Sequence, residues 1–282
     1  MNKKFRRAKM KILVAVLGCL AALVLLCGSS LVDNFIYHPS AEVYNTPEAF
    51  NVKYEQLTLR SASGLNLNAW HVPGKSNVTF LIFSGNAGNI SVITDRLVSF
   101  YQMGYSSFTV DYPGFGSSEG QPSEAGTYEA AEAAWNYLTG PLNLKPDQIV
   151  IYGFSLGGGV ASWLAAKHPP GALILDSTFT RLADAALEHL PGKEEEVAAV
   201  LGDTYDTLAR LADIHCPLLV LHNKDDRVVP YSLGRKLFEA YQNGPKKMVG
   251  GKGDHMDFML NYATFITAIK AVADSLTTPS KQ

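Results

Sequence analysis

Five short apolar runs constrain this chain more than anything else in it: residues 78–83, 107–110, 148–152, 172–175 and 218–221. A strand that is apolar almost throughout, and not merely at every second position, is covered on both faces. Stretches with helical spacing of apolar residues lie between and after these runs, at 90–102, 124–138, 160–167, 233–241 and 258–276. Strands alternating with helices predict βαβ units: an α/β fold with a mostly parallel central sheet and helices on both faces. Residues 52–60 and 65–72 differ. They alternate apolar and polar residues around Ser61-Ala62-Ser63-Gly64, which predicts an antiparallel hairpin. Ligands of a parallel sheet gather at the carboxyl ends of its strands, so the residues that follow each run carry the functional question.

After residue 152 comes Gly153-Phe154-Ser155-Leu156-Gly157. G-x-S-x-G between a strand and a helix is the pattern of a nucleophile elbow, which holds a serine hydroxyl up for attack in a tight turn. In a chain with 24 glycines the pattern alone could be an ordinary turn. A serine also needs a base, and the base an orienting acid. Two adjacent carboxylates, Asp225 and Asp226, follow the run that ends at residue 221, and Asp176 ends another strand at the same sheet edge. His255 lies in the glycine-rich stretch Gly250-Gly251-Lys252-Gly253-Asp254-His255, ahead of the last helical pattern. The chain order serine, acid, histidine is the one used with this elbow. His222 opens the acid loop and is expected to support it; the remaining histidines read as surface, cap or strand-end positions. For an oxyanion hole the candidate backbone donors are the N–H of Leu156, after the serine, and the N–H of Asn86, in the loop after the first apolar run.

Four segments together resemble the alpha/beta-hydrolase fold serine hydrolases: Ser84-Gly85-Asn86-Ala87-Gly88-Asn89, Asp111-Tyr112-Pro113-Gly114-Phe115-Gly116-Ser117-Ser118-Glu119-Gly120, residues 153–158, and residues 222–230. The resemblance runs from about residue 54 to 276. Within that family the chain is similar to the membrane-tethered, minimally lidded branch that includes depalmitoylase-like proteins. The resemblance implies Ser155 as nucleophile, His255 as base and Asp226 as acid. The family's acid stands four residues after the histidine that opens its loop, which selects Asp226 over Asp225. One departure stands out. Ser84 occupies the place where the family usually has histidine, before the first glycine of the oxyanion loop. The stretch between Asp176 and the acid loop is too short for a large separate cap, and residues 178–212 are expected to form a small helical cover. No zinc-ligand spacing and no phosphate-binding loop appears, so no cofactor and no metal is expected.

The first 32 residues are of another kind. Lys3, Lys4, Arg6, Arg7, Lys9 and Lys11 precede 21 residues, 12–32, without a charge. As a helix this span would be about 31 Å long, enough to cross a bilayer core. The expectation is an uncleaved single-pass anchor over residues 1–32, with a hydrolase domain at 33–282 held outside the cytoplasm, periplasmic or extracellular, by the positive-inside rule. A lipoprotein signal is the alternative, since Val16-Leu17-Gly18-Cys19 loosely matches a lipobox, and a secreted form is another. Six of the 24 basic residues lie within the first 32 and all 26 acidic ones come after them, so the part after residue 32 has a formal charge of −8. That balance argues against nucleic acid as a partner. Cys19 and Cys27 lie in the uncharged span, and Cys216 alone follows it, so no disulfide within the domain is expected.

The resulting expectation is hydrolysis of esters or thioesters of small-molecule or lipid-derived acyl groups through an acyl-serine. A serine aminopeptidase and a non-catalytic envelope binding protein are the alternatives. Phe154, Leu156, Phe115 and Tyr112, near the elbow, are expected to line an acyl pocket.

Overall fold

Alternate residues of a strand point to opposite faces of its sheet, and two separate cores follow from this. Leu81 and Phe83, with Ile149 and Ile151, enter one core; Phe80 and Ile82, with Val150, Tyr152 and Phe154, enter the other. The computed structural model describes residues 30–190 and 192–277. The chain begins there with α1 (Ser30–Ile36) and β1 (His38–Pro39). The hairpin β2 (Glu55–Arg60) and β3 (Asn66–Val72) comes next, then β4 (Thr79–Phe83), β5 (Ala87–Gly88), α2 (Thr94–Gln102) and β6 (Ser106–Val110). Next are α3 (Glu124–Thr139), β7 (Ile149–Phe154), α4 (Leu156–Lys167) and β8 (Ala172–Asp176). Three short helices, α5 (Leu182–His189), α6 (Glu194–Leu201) and α7 (Thr207–Arg210), form the cover expected over residues 178–212. β9 (Leu218–Asn223), α8 (Tyr231–Ala240), β10 (Lys246–Gly251) and α9 (Tyr262–Thr277) complete the described chain.

The large sheet has eight strands in the order β10-β9-β8-β7-β4-β6-β3-β2. β2 and β3 pair antiparallel, as do β3 and β6; every other pair is parallel. Helices α2 and α9 cover one face, with Leu97, Phe100, Phe265 and Ile269 in its core. Helices α3, α4 and α8 cover the other, with Ala134, Leu138, Leu164 and Leu237.

Three elements depart from the sequence reading. β10 has no counterpart in it; this edge strand reads Lys-Lys-Met-Val-Gly-Gly and is only partly buried. Helix α4 begins at Leu156 and not at residue 160, because Gly157, Gly158 and Gly159 are helical. β1 pairs in parallel with β5, fastening the segment after α1 onto the loop that follows β4. Cys216 is buried, and burial pushes its thiol up to about 12, which leaves it unreactive near neutral pH.

Nearly all of the expected membrane segment, residues 1–29, lies outside the described residues. Among the described residues no helix is long and apolar enough to cross a membrane. Helix α1 runs across the expected boundary at residue 32, and Val32, Ile36 and Tyr37 belong to the main core.

Candidate active site

Ser155 stands between β7 and α4 with φ 53° and ψ −123°, a conformation that costs a non-glycine residue about 1–3 kcal/mol. The turn is tight enough to exclude side chains beside it. A Cβ on Gly153 would lie 2.4 Å from the Gly157 carbonyl oxygen, and one on Gly157 would lie 2.2 Å from that of Phe83. The Ser155 carbonyl accepts hydrogen bonds from the Thr178 hydroxyl at 2.7 Å and from the Gly158 N–H at 2.9 Å. These contacts hold the strained residue in place.

His255 follows β10, and its Nε2 is 2.9 Å from Ser155 Oγ. Its Nδ1 is 2.7 Å from Asp226 Oδ2, in the loop after β9. A carboxylate at Nδ1 assigns the proton to that nitrogen and leaves the Nε2 lone pair to accept from the serine hydroxyl. Asp226 Oδ1 accepts from the N–H groups of Val228 at 2.9 Å and Val229 at 2.8 Å. Burial alone would raise this carboxyl's pKa. Hydrogen bonds from His222 and His255, the electrostatic pull of His255 and the Val229 N–H outweigh burial and hold it well below the usual carboxylate range. His222 Nε2 donates to the Val229 carbonyl at 2.8 Å and lies 3.5 Å from Asp226 Oδ2, so it braces the acid loop from inside the core.

The other two carboxylates stand elsewhere. Asp225 accepts from the Gly253 N–H at 3.2 Å and joins two turns. Asp176 is buried in an ion pair with Arg96, 3.2 Å away, and accepts from the Tyr152 hydroxyl. The Arg96 guanidinium sits between the rings of Phe154 and Phe258, 4.4 and 4.5 Å from their centroids. Phe154 packs in turn on the His255 imidazole, with centroids 5.0 Å apart. This buried cation behind the histidine escaped the sequence reading. Its signal was faint: position 96 falls on the apolar helical face of Ile93, Leu97 and Phe100.

The loop after β4 abuts the serine, since a Cβ on Gly85 would lie 3.5 Å from Ser155 Cβ. Asn86 in this loop borders Ser155. Leu156 opens α4, so its N–H belongs to the first turn, whose N–H groups have no acceptor within the helix. The loop is pinned from outside: the His38 N–H donates to the Asn86 carbonyl at 2.8 Å, and Asn86 Nδ2 donates to the Ile36 carbonyl at 2.6 Å. At the position of the family's histidine, the Ser84 carbonyl accepts from the Tyr112 hydroxyl at 2.9 Å.

Two clefts meet at Ser155. The first, of about 400 Å³, is walled by Phe35 and Ile36 of α1, Phe179, Leu182, Leu201 and Val228. The second, of about 210 Å³, runs past His255, Phe154, Tyr44 and Met256. The expected pocket residues are therefore corrected. Tyr112 and Phe115 are fully buried core side chains. Leu156 borders the first cleft and Phe154 the second, while most of the apolar wall comes from the cover and from α1.

Residues 78–202 match the alpha/beta hydrolase fold family. A doubly covered, mostly parallel sheet with its serine at a strand–helix corner is the architecture of that family, and the chain belongs to it. It is 32% identical over 270 residues to the uncharacterized protein Rv2307c of Mycobacterium tuberculosis, spanning 94% of this chain and 95% of that one. It is also 32% identical over 221 residues to the lysophosphatidylserine lipase ABHD12 of Danio rerio, spanning 64% of this chain and 57% of the relative. Among solved structures, the Pyrococcus furiosus esterase PF2001 shares the fold at a TM-score of 0.72 and 16% identity, over 85% of this chain and 98% of that one. The fold, with an esterase and a lipase among the similar proteins, supports hydrolase activity.

Proposed function

We propose that this protein is a serine hydrolase that cleaves carboxylic esters or thioesters of acyl chains through an acyl-serine intermediate. One observation carries the reading: an unbroken hydrogen-bond chain runs from Asp226 through His255 to Ser155, and an apolar cleft opens at that serine. In the first step Ser155 Oγ attacks the acyl carbon while its proton passes to His255 Nε2. Asp226 steadies the imidazolium, and the N–H groups of Leu156 and Asn86 receive the oxyanion. The intermediate collapses as the C–O or C–S bond breaks and His255 returns the proton to the leaving group. Water, activated by the same histidine, then releases the acid and restores the serine. Because His255 lines the second cleft, the leaving group occupies that side and the acyl chain the first. A lysophosphatidylserine lipase among the relatives is in keeping with a lipid-derived ester.

Burying an acyl chain gains about 0.8 kcal/mol per methylene. Hydrolysis of p-nitrophenyl esters should therefore quicken from acetate upward and level off at medium chains, when the cleft is full. The series is run from acetate to palmitate, with an acyl thioester and a peptide amide alongside. Efficient amide cleavage without an ester chain-length preference would replace this reading with an aminopeptidase.

Residues 1–32 are proposed to anchor the chain, with the hydrolase domain outside the cytoplasm. Six basic residues ahead of 21 uncharged ones support this. A reporter fused after Gln282 should be active only outside the cytoplasm; activity only inside would reverse the orientation.

A further inference from the structure

Four of the ten large apolar side chains exposed among the described residues line the two clefts. Phe35, 73% exposed, and Val228 stand at the first, and Tyr44 and Met256 at the second. Met259 and Leu260, the latter 66% exposed, follow Met256 by three and four residues, and a Cβ on Gly253, two residues before His255, would lie 2.9 Å from Leu260 Cδ2. Scattered exposed apolar residues need no explanation, but a ring of them around a cleft marks an interaction surface. These residues come from α1 and from the loops after β1, β9 and β10, so no single amphipathic element accounts for them.

The chain ahead of α1 indicates what covers this surface. Residues 12–29, ahead of α1, are uncharged and follow six basic residues; as a helix they would be about 27 Å long, close to the thickness of a bilayer core. Phe35 comes three residues after Val32, at most about 11 Å of chain. Nor is α1 a loose leash. The Tyr37 hydroxyl bonds that of Tyr205 at 2.6 Å, and the Ile36 carbonyl and His38 N–H are both tied to Asn86. The end of the uncharged span is thus fixed beside both clefts. The excess of acidic residues after residue 32 gives anionic lipid no electrostatic attraction, so apolar insertion must supply the affinity.

We infer that the Ser155 face rests on a phospholipid bilayer, with Phe35, Val228, Met256, Met259 and Leu260 inserted at the interface. Both clefts then open onto lipid, and acyl chains enter from the membrane and not from water. The inference extends the proposed hydrolase activity, and only its kinetic test rests on that activity.

The full chain, with its native cysteines replaced by alanine, is labelled with bimane at Leu260→Cys or at Lys145→Cys. Lys145 is exposed and precedes β7, at the end of that strand opposite to Ser155. Both forms are reconstituted in palmitoyl-oleoyl-phosphatidylcholine vesicles with or without brominated acyl chains. Brominated lipid should quench the label at position 260 and spare the one at 145, in high salt as in low. Equal quenching at both sites, or none at 260, overturns the inference. That includes a label at 260 shielded from water yet unquenched, which would mean that a second copy of the chain covers the patch. In the kinetic test the double variant Met259→Asp/Leu260→Asp should lose about tenfold, the factor given by 1.4 kcal/mol of lost insertion, against p-nitrophenyl palmitate embedded in the vesicles. It should keep its rate on soluble p-nitrophenyl acetate. Equal loss on both esters, or loss on neither, also overturns the inference. If the wild type cleaves neither ester, the hydrolase reading fails and the quenching still decides the docking.

Discussion

Asp226 and Asp225 are neighbours in sequence with opposite surroundings. Asp226 is buried, faces His255 and takes two backbone N–H bonds, whereas Asp225 bonds one N–H at the surface. Asp226→Asn should lower turnover by up to about 10⁴, because an amide at Nδ1 favours the wrong imidazole tautomer. Asp225→Asn should have a small effect. Steady-state rates on one ester decide between them, and the reverse ranking would reassign the acid. Asp176→Asn should act through stability, since it leaves the buried Arg96 guanidinium short of its carboxylate; breaking such a pair costs about 3–5 kcal/mol. A fall in melting temperature measures it, and an unchanged melt would contradict that role. Ser155 and His255 were legible in the sequence because an elbow and a glycine-rich loop have local signatures. Asp226 was separated from Asp225 only by resemblance, since a side chain's direction leaves no mark on the order of residues. Arg96 was nearly silent, because its fully buried partners, Tyr152 and Asp176, lie 56 and 80 residues away, and only the half-buried Asp95 is its neighbour in sequence.

At the scale of elements, α4 carries three successive glycines although each costs a helix about 1 kcal/mol. Packing supplies the reason. A Cβ on Gly158 would lie 2.2 Å from Thr178 Oγ1, and one on Gly159 would lie 2.7 Å from the Tyr205 ring. Gly158→Ala must displace Thr178, whose hydroxyl holds the Ser155 carbonyl. It should cost about 1–3 kcal/mol by overpacking and slow modification of Ser155 by a fluorophosphonate. A variant that melts and labels like the wild type would show that the elbow does not depend on this contact. The same glycines explain why the start of α4 was misread: propensity alone makes them a turn, and tertiary packing overrides it. β10 was missed for a related reason. It is an edge strand without an apolar run, and its Gly251 is required by packing, where a Cβ would lie 2.2 Å from Asn223 Oδ1. Five of the six inner strands, all but β3, were legible because burial on both faces made them continuously apolar.

Over the whole molecule, burial on the two sheet faces sets the architecture, and one buried carboxyl ties distant parts together. Asp111, after β6, accepts from the Ile90 N–H at 2.8 Å, beside the loop that follows β4, and from Asn68 Nδ2 at 2.8 Å on β3. Burial pushes its pKa up to about 6 against the lowering effect of those two bonds. Between the ordinary value of 3.8 and about 6 the folded chain keeps a proton that the unfolded chain has released. Its contribution to stability is therefore full below the ordinary value and lost as the pH rises through about 6, roughly 3 kcal/mol in all. The wild type should lose stability relative to Asp111→Asn across this window in denaturant titrations; parallel pH profiles would remove Asp111 from the account. The central claim, a covalent acyl group on Ser155, is tested most directly by intact-protein and peptide mass spectrometry after brief exposure to an acyl ester and acid quenching. The account predicts a mass increase of one acyl group on the peptide holding Ser155, decaying on incubation and absent in Ser155→Ala. An adduct on another residue, or ester turnover undiminished in Ser155→Ala, would contradict it.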